Sequence, residues 1–329
     1  MTGTLKRKNG MPMRGREKKH GHKTLDEQRH RVRKSHMFDR LKGGWAIYKQ
    51  NILGKVGLGL LLMFGLMAGL SFIPPFIDPM YHPMTGVDPD IAKSVGPSLR
   101  HWLGTDFMGR DLMSQLLAGA RVAFMVGVSA AFMSVFLGTA IGMTAGYMGR
   151  FVDTFLMRLA DMIMVMPTLL FVLMMAALFG QLNIWAVVLI IAVFRWPGVS
   201  RVIRAQTLSL KQRPFIEAAK VAGASHLRII FRHIMPNVLP LSFLYMTFRV
   251  TSAIVIEAAL AFLGFGDPST VSWGMMLQWV WKTGHMFRAP YWLLPPGICI
   301  SLITLAFYLL GRAMDEVLDP RLRKEGEEA

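Results

Sequence analysis

Cysteine is nearly absent. The 329 residues hold one, Cys299, which excludes an intramolecular disulfide and any cysteine-rich metal site. Charge is scarce too: 17% of residues are charged, against about 25% in soluble domains. What charge there is leans one way, with 37 Lys and Arg against 20 Asp and Glu and a formal net charge of +17. Catalytic motifs are missing. An ATPase needs a GxxxxGK[ST] loop between strand and helix. The nearest approach, Gly15 to Gly21-His22-Lys23-Thr24, is one residue too long, is interrupted by His22 and follows no strand. The serine elbow GxSxG is approached at Gly198-Val199-Ser200 and Gly223-Ala224-Ser225, but both lack the second glycine. No HExxH occurs, and no set of carboxylates and histidines converges for acid–base work. His20 and His22 sit in a basic arm and read as solvated side chains rather than metal ligands. The 26 methionines fall mostly in apolar stretches, where they fill gaps in packing.

What is abundant is long apolar sequence, since 53% of residues are hydrophobic. Residues 56–77 carry no charge over 22 positions. As a helix they would be about 33 Å long, against a hydrocarbon core of about 30 Å. That stretch is too long for a signal-peptide core and is followed by Pro74-Pro75, so it reads as an anchor. Residues 122–149 form a second span. Residues 155–204 are too long for one pass and split at Gly180-Gln181-Leu182-Asn183, a tight-turn pattern, into a third and a fourth. Residues 237–263 and 289–311 complete six predicted spans, giving an all-α polytopic membrane protein. An even count puts both termini on one side. That side holds 29 Lys and Arg and the other holds 6, which predicts cytoplasmic termini in a multi-pass cytoplasmic-membrane protein.

The division that follows starts with residues 1–35, a basic and disordered cytoplasmic arm. Residues 36–120 hold an interfacial helix, the first span and an extracytoplasmic segment. Residues 121–312 hold a five-helix core, and 313–329 a cytoplasmic tail. The interfacial helix rests on Phe38, Leu41, Trp45, Tyr48 and Ile52, a stripe at helical spacing that Gly43-Gly44 weakens.

Between the fourth and fifth spans, residues 211–236 have no apolar run. Pro214 suits a first helical position and Glu217 the positive end of that helix. Ala218 and Ala219 keep one face slim, Gly223 can end the helix, and Ser225 can cap another running toward Pro236. Two short helices outside the bilayer are expected. They fit either an ordinary amphipathic loop or a surface that enters another protein's groove.

Glu217-Ala218-Ala219, Gly223 four residues on, and Ile234-Met235-Pro236 resemble the signature cytoplasmic loop of ABC-importer permeases. Met235 stands where leucine is more usual. More of the chain agrees in order. Gly104-Thr105-Asp106, Gly109-Arg110-Asp111, Asp161, Pro167, Trp196-Pro197-Gly198, Ser272-Trp273-Gly274 and Leu318-Asp319-Pro320 are similar to the dipeptide, oligopeptide and nickel permease family. Within it the chain resembles the second of two paired permeases. The resemblance implies a type I ABC-importer permease (MetI-like) fold and import of peptides, with nickel or another small solute as the alternative. It implies a second, homologous permease, two ATPase subunits that bind ATP and Mg, and an extracytoplasmic substrate-binding protein. It implies no cofactor in this chain. Glu217, Ala218, Ala219, Gly223 and Pro236 would then form the coupling element that docks on the ATPase.

Two charges fall within the fifth span. Arg249 and Glu257 are about 12 Å apart along a helix axis and about 80° apart around it, too far to pair directly. They either face the pathway or the other permease, or are neutralised within the chain. An ion-driven transporter would show inverted repeats with broken helices, and none is evident. The basic arm invites nucleic-acid binding, but its closeness to a span makes attraction to lipid headgroups simpler.

Overall fold

The computed structural model describes residues 51–73, 78–91, 93–180 and 182–318. The basic arm, the interfacial stripe through Tyr48 and the end of the tail lie outside the described residues. The first helix, α1 (Ile52–Leu70), starts four residues before the apolar run because Asn51 caps it, its side chain accepting from the Gly54 amide at 2.9 Å. Then come α2 (Leu112–Met148), α3 (Arg150–Val165), α4 (Thr168–Phe179) and α5 (Ile184–Lys211). The short α6 (Pro214–Val221) and α7 (His226–Ile229) follow. A π-helical turn, Ile230–Ile234, leads into α8 (Met235–Phe262), and α9 (Trp273–Lys282) and α10 (Pro290–Leu318) complete the order. No strand occurs among the described residues; an isolated bridge joins Thr105 and Asp111.

Among the described residues, five helical stretches are long and apolar enough to cross a membrane: α1, α2, α5, His226–Phe262 and α10. The third predicted span is broken. Its two pieces, α3 and α4, meet at an 80° bend and, taken together as one span, make up the sixth. Pro167 is the cause, because it drives Met166 out of the helical region to ψ 125°. α4 ends and α5 begins where the break was predicted: Gly180 has φ +79° and Asn183 caps α5. Two helices exceed their apolar runs. α2 has 37 residues, about 55 Å, so it projects well beyond a hydrocarbon core. The fifth crossing begins at His226, because α7 and the π-turn run into α8 without a break. The second short helix predicted after Ser225 is therefore the start of a long one.

Packing centres on α2, which lies against α1, α5 and α8. Its seam with α5 is built on Gly138, Gly142 and Gly146, four residues apart. A Cβ on Gly142 would sit 2.5 Å from the Ser200 carbonyl, and one on Gly138 2.8 Å from the Trp196 carbonyl. Only the missing side chains let the backbones come this close, the association mode that replaces hydrophobic driving force between membrane helices. Leu62, Leu66, Phe132, Phe136 and Leu189 are exposed, as a lipid-facing surface requires.

Two ion pairs tie α3 to α5. Arg204 meets both oxygens of Asp153, each at 2.5 Å, and Arg201 pairs with Asp161. The Arg204–Asp153 fork is partly buried, so it is worth more than a surface pair. Arg204→Gln should cost about 1–3 kcal/mol, read as a lower thermal midpoint of the purified protein. An unchanged midpoint would remove the pair from what holds α3.

Candidate functional site

The residues singled out in the sequence fall at three depths. The first group lies outside the spans. Asp106 is fully buried and organises the turn that precedes α2. Its Oδ1 accepts from the amides of Met108 (2.8 Å) and Arg110 (3.0 Å), and its Oδ2 from Arg110 Nε (2.6 Å) and Gln115 Nε2 (2.9 Å). Arg110 stacks over the Trp279 ring at 4.3 Å. Asp111 caps α2 by accepting from the Ser114 amide at 2.7 Å. Thr105 Oγ1 donates to the Lys93 carbonyl and accepts from the Val95 amide. Gly104 and Gly109 have φ +83° and +80°, and a Cβ on either would meet a carbonyl oxygen at 2.3 or 2.0 Å, so no other residue fits. The ordered motif is thus a staple that fixes the segment between α1 and α2 onto the start of α2.

His101 extends the staple. Its Nδ1 lies 2.9 Å from Asp111 and its Nε2 3.2 Å from Asp88, all three side chains buried. Both ring nitrogens lie within hydrogen-bond distance of a carboxylate oxygen. Burial pushes the Asp88 carboxyl up, but the Asp90 amide, His101 and Arg100 outweigh it and hold the group below its usual range.

The second group lies within the spans. Glu257 is 8% exposed, in a small pocket with Ile184, Val187, Asp267 and Ser272. It does not meet Arg249. The Arg249 guanidinium instead lies over Gly198 of α5, where a Cβ would come within 2.5 Å of Nη2. Its ionisable neighbours are Arg195 and Tyr245. The sequence places Arg195 within a span but gives it no role, because a lone arginine there does not announce its neighbour.

The third group is at the other end. Pro214 opens α6, and Ile216, 0% exposed, anchors it in a cluster with Tyr147, Ile203, Ile229 and Ile234. Everything else on α6 is more open: Phe215, Glu217 and Ala218 are exposed, and Val221 is 91% exposed. Ala219 is the exception that packs inward on the anchor cluster. Gly223, at φ +77°, closes the helix: its amide donates to the Lys220 carbonyl, and the Ala224 amide to the Ala219 carbonyl. That paired closure requires a left-handed residue. Pro236, which has no amide to donate, follows the π-turn, in which the Met235 amide reaches five residues back to Ile230. Nearby, Tyr147 Oη bonds His226 Nδ1 at 2.9 Å, linking the end of α2 to the start of the fifth crossing.

Comparison with known proteins agrees with this architecture. A family described as the binding-protein-dependent transport system inner membrane component matches residues 138–324. The oligopeptide transport system permease protein OppC of Haemophilus influenzae is 37% identical over 260 residues, 77% of this chain and 83% of that one. The glutathione transport system permease protein GsiD of Pectobacterium atrosepticum is 33% identical over 276 residues, 84% of this chain and 89% of that one. Among solved structures, the inward-facing MetNI methionine ABC transporter has a TM-score of 0.44 at 17% identity, over 61% of this chain and 96% of that one. With its family match covering more than half of the sequence, this chain belongs to the inner-membrane permease components of binding-protein-dependent ABC importers.

Proposed function

We propose that this chain is one of two paired permease subunits that form a path for di- and oligopeptides across the cytoplasmic membrane. Two ATPase subunits on the cytoplasmic side bind ATP and Mg, and an extracytoplasmic binding protein delivers the solute. Both termini are cytoplasmic. The observation that carries the reading is α6: a helix outside the spans, held by Ile216 and Ala219, that turns Phe215, Ala218 and Val221 outward. Exposed apolar side chains on so small an element fit a protein groove. The peptide class is supported by the names of its relatives.

In this mechanism ATP binding draws the ATPases together and moves α6. Glu217 orients the helix, Ala218 allows close approach, and Gly223 fixes the turn. The closure at Gly223 and the unbroken run from His226 carry the movement into the fifth crossing. Nucleotide must favour one of two permease states for this to work. The test is purification after gentle solubilisation, followed by reconstitution with the co-purifying subunits. An ATPase should co-purify, and vesicles should accumulate a labelled tripeptide only with ATP. Uptake driven by an ion gradient without an ATPase would overturn the proposal.

A further inference from the structure

We propose that Arg195 and Arg249 together form a mid-membrane site for a carboxylate of the passing solute. The proposal rests on the peptide-import reading above and adds the chemical group recognised. Arg195 is 11 residues from the start of α5, about 16 Å, and Arg249 is 13 residues from the end of α8, about 20 Å. The two helices run in opposite directions, so both guanidinium groups lie near the middle of the bilayer. Arg249 rests on Gly198, one turn along from Arg195, and the two cations are electrostatic neighbours.

Neither arginine has an acidic partner among the described residues. Arg195 Nε is buried without any hydrogen-bond partner. The acids that could serve are engaged elsewhere: Asp153 with Arg204, Asp161 with Arg201, and Glu257 in its own pocket beside Ser272. Two like charges held close in a membrane, with no counter-charge, are costly unless they face a water-filled route or a group from outside the chain. Both residues are intermediate in exposure rather than sealed in the core. Two guanidinium groups match the geometry of a carboxylate, which accepts from both at once. Every peptide with a free C-terminus carries one.

The test uses the complete importer in vesicles, with a tripeptide supplied either as the free acid or as its C-terminal amide. Arg195→Gln and Arg249→Gln are compared with the unaltered protein and with Arg249→Lys. The same binding protein serves all, so its own preference cancels from each variant-to-unaltered ratio. We expect each Gln variant to lower uptake of the free acid about tenfold and leave the amide unchanged, a factor worth about 1.4 kcal/mol. Arg249→Lys should fall between, keeping charge but losing the fork. Equal losses for acid and amide, or no loss, would overturn the site while leaving peptide import standing. Failure of the unaltered protein to move either peptide would overturn both. Loss of co-purification with the second permease in the Gln variants would assign the carboxylate to that subunit, and would overturn the solute site as well.

Discussion

Asp106→Asn should unfold the segment between α1 and α2 nearly as completely as Asp106→Ala. The alanine variant removes four accepted hydrogen bonds and strands Arg110 and Gln115 in a buried site. Breaking a buried ion pair this way costs about 3–5 kcal/mol. The asparagine variant keeps an oxygen for the Met108 and Arg110 amides, but turns an amide NH2 toward Arg110 Nε and Gln115 Nε2, donor against donor. Size is conserved and charge is not, so the comparison isolates the carboxylate. Limited proteolysis of residues 78–111 in closed vesicles reads the outcome, with the thermal midpoint as a second measure. Protease resistance equal to that of the unaltered protein in Asp106→Asn would show that the charge does not organise the segment.

The same segment carries a sign for pH. Asp88 has a lower pKa in the folded chain than in an unfolded one. Such a group adds stability above its unfolded value, and that stability is lost as the pH falls below about 4. His101→Ala would leave Asp88 and Asp111 facing each other across an empty site, so the variant should lose its resistance to protease already at neutral pH.

How much of this was legible follows from the range of each interaction. The crossings were legible because a charge-free run is a local property. The cap at Asn51 and the closure at Gly223 depend on neighbours within a few residues, and Gly223 was expected to end its helix. Pro167 was visible as a motif residue, but the apolar run across it outweighed its effect on Met166, so the bend between α3 and α4 was missed. The four-residue spacing of Gly138, Gly142 and Gly146 was there to be read as a close helix seam. By contrast, the Trp279 ring over Arg110, the Asp88 and Asp111 carboxylates beside His101, and Gly198 beneath Arg249 lie far outside the reach of a helical turn. A motif says that such residues belong together and not what they touch. Glu257 illustrates the limit: its place in the span was plain, but its pocket is made by α5 and by the turn before α9.

The structure also separates two alanines that the sequence presents as equals, and this sharpens the test of coupling. Ala218→Arg should abolish ATP-driven uptake while leaving the folded yield unchanged. Its Cβ points away from the chain, so a long cation there meets only solvent until an ATPase docks. In the docked state the guanidinium would be buried without a partner, at a cost of about 3 kcal/mol or more. At about 1.4 kcal/mol per tenfold, affinity for the ATPase falls about a hundredfold. Ala219→Arg is a poorer probe, because Ala219 packs on the Ile216 cluster and the variant would lose yield and uptake together. Gly223→Ala gives a graded control. Nothing lies within 4 Å of its added Cβ, so the penalty is the left-handed conformation alone, about 1–2 kcal/mol, and uptake should fall only in part. Gly223→Pro adds the loss of the amide that bonds Lys220 and should behave as a null. If Ala218→Arg retains both ATPase co-purification and uptake, the exposed face of α6 is not the docking surface, whatever the closure at Gly223 does for the fold.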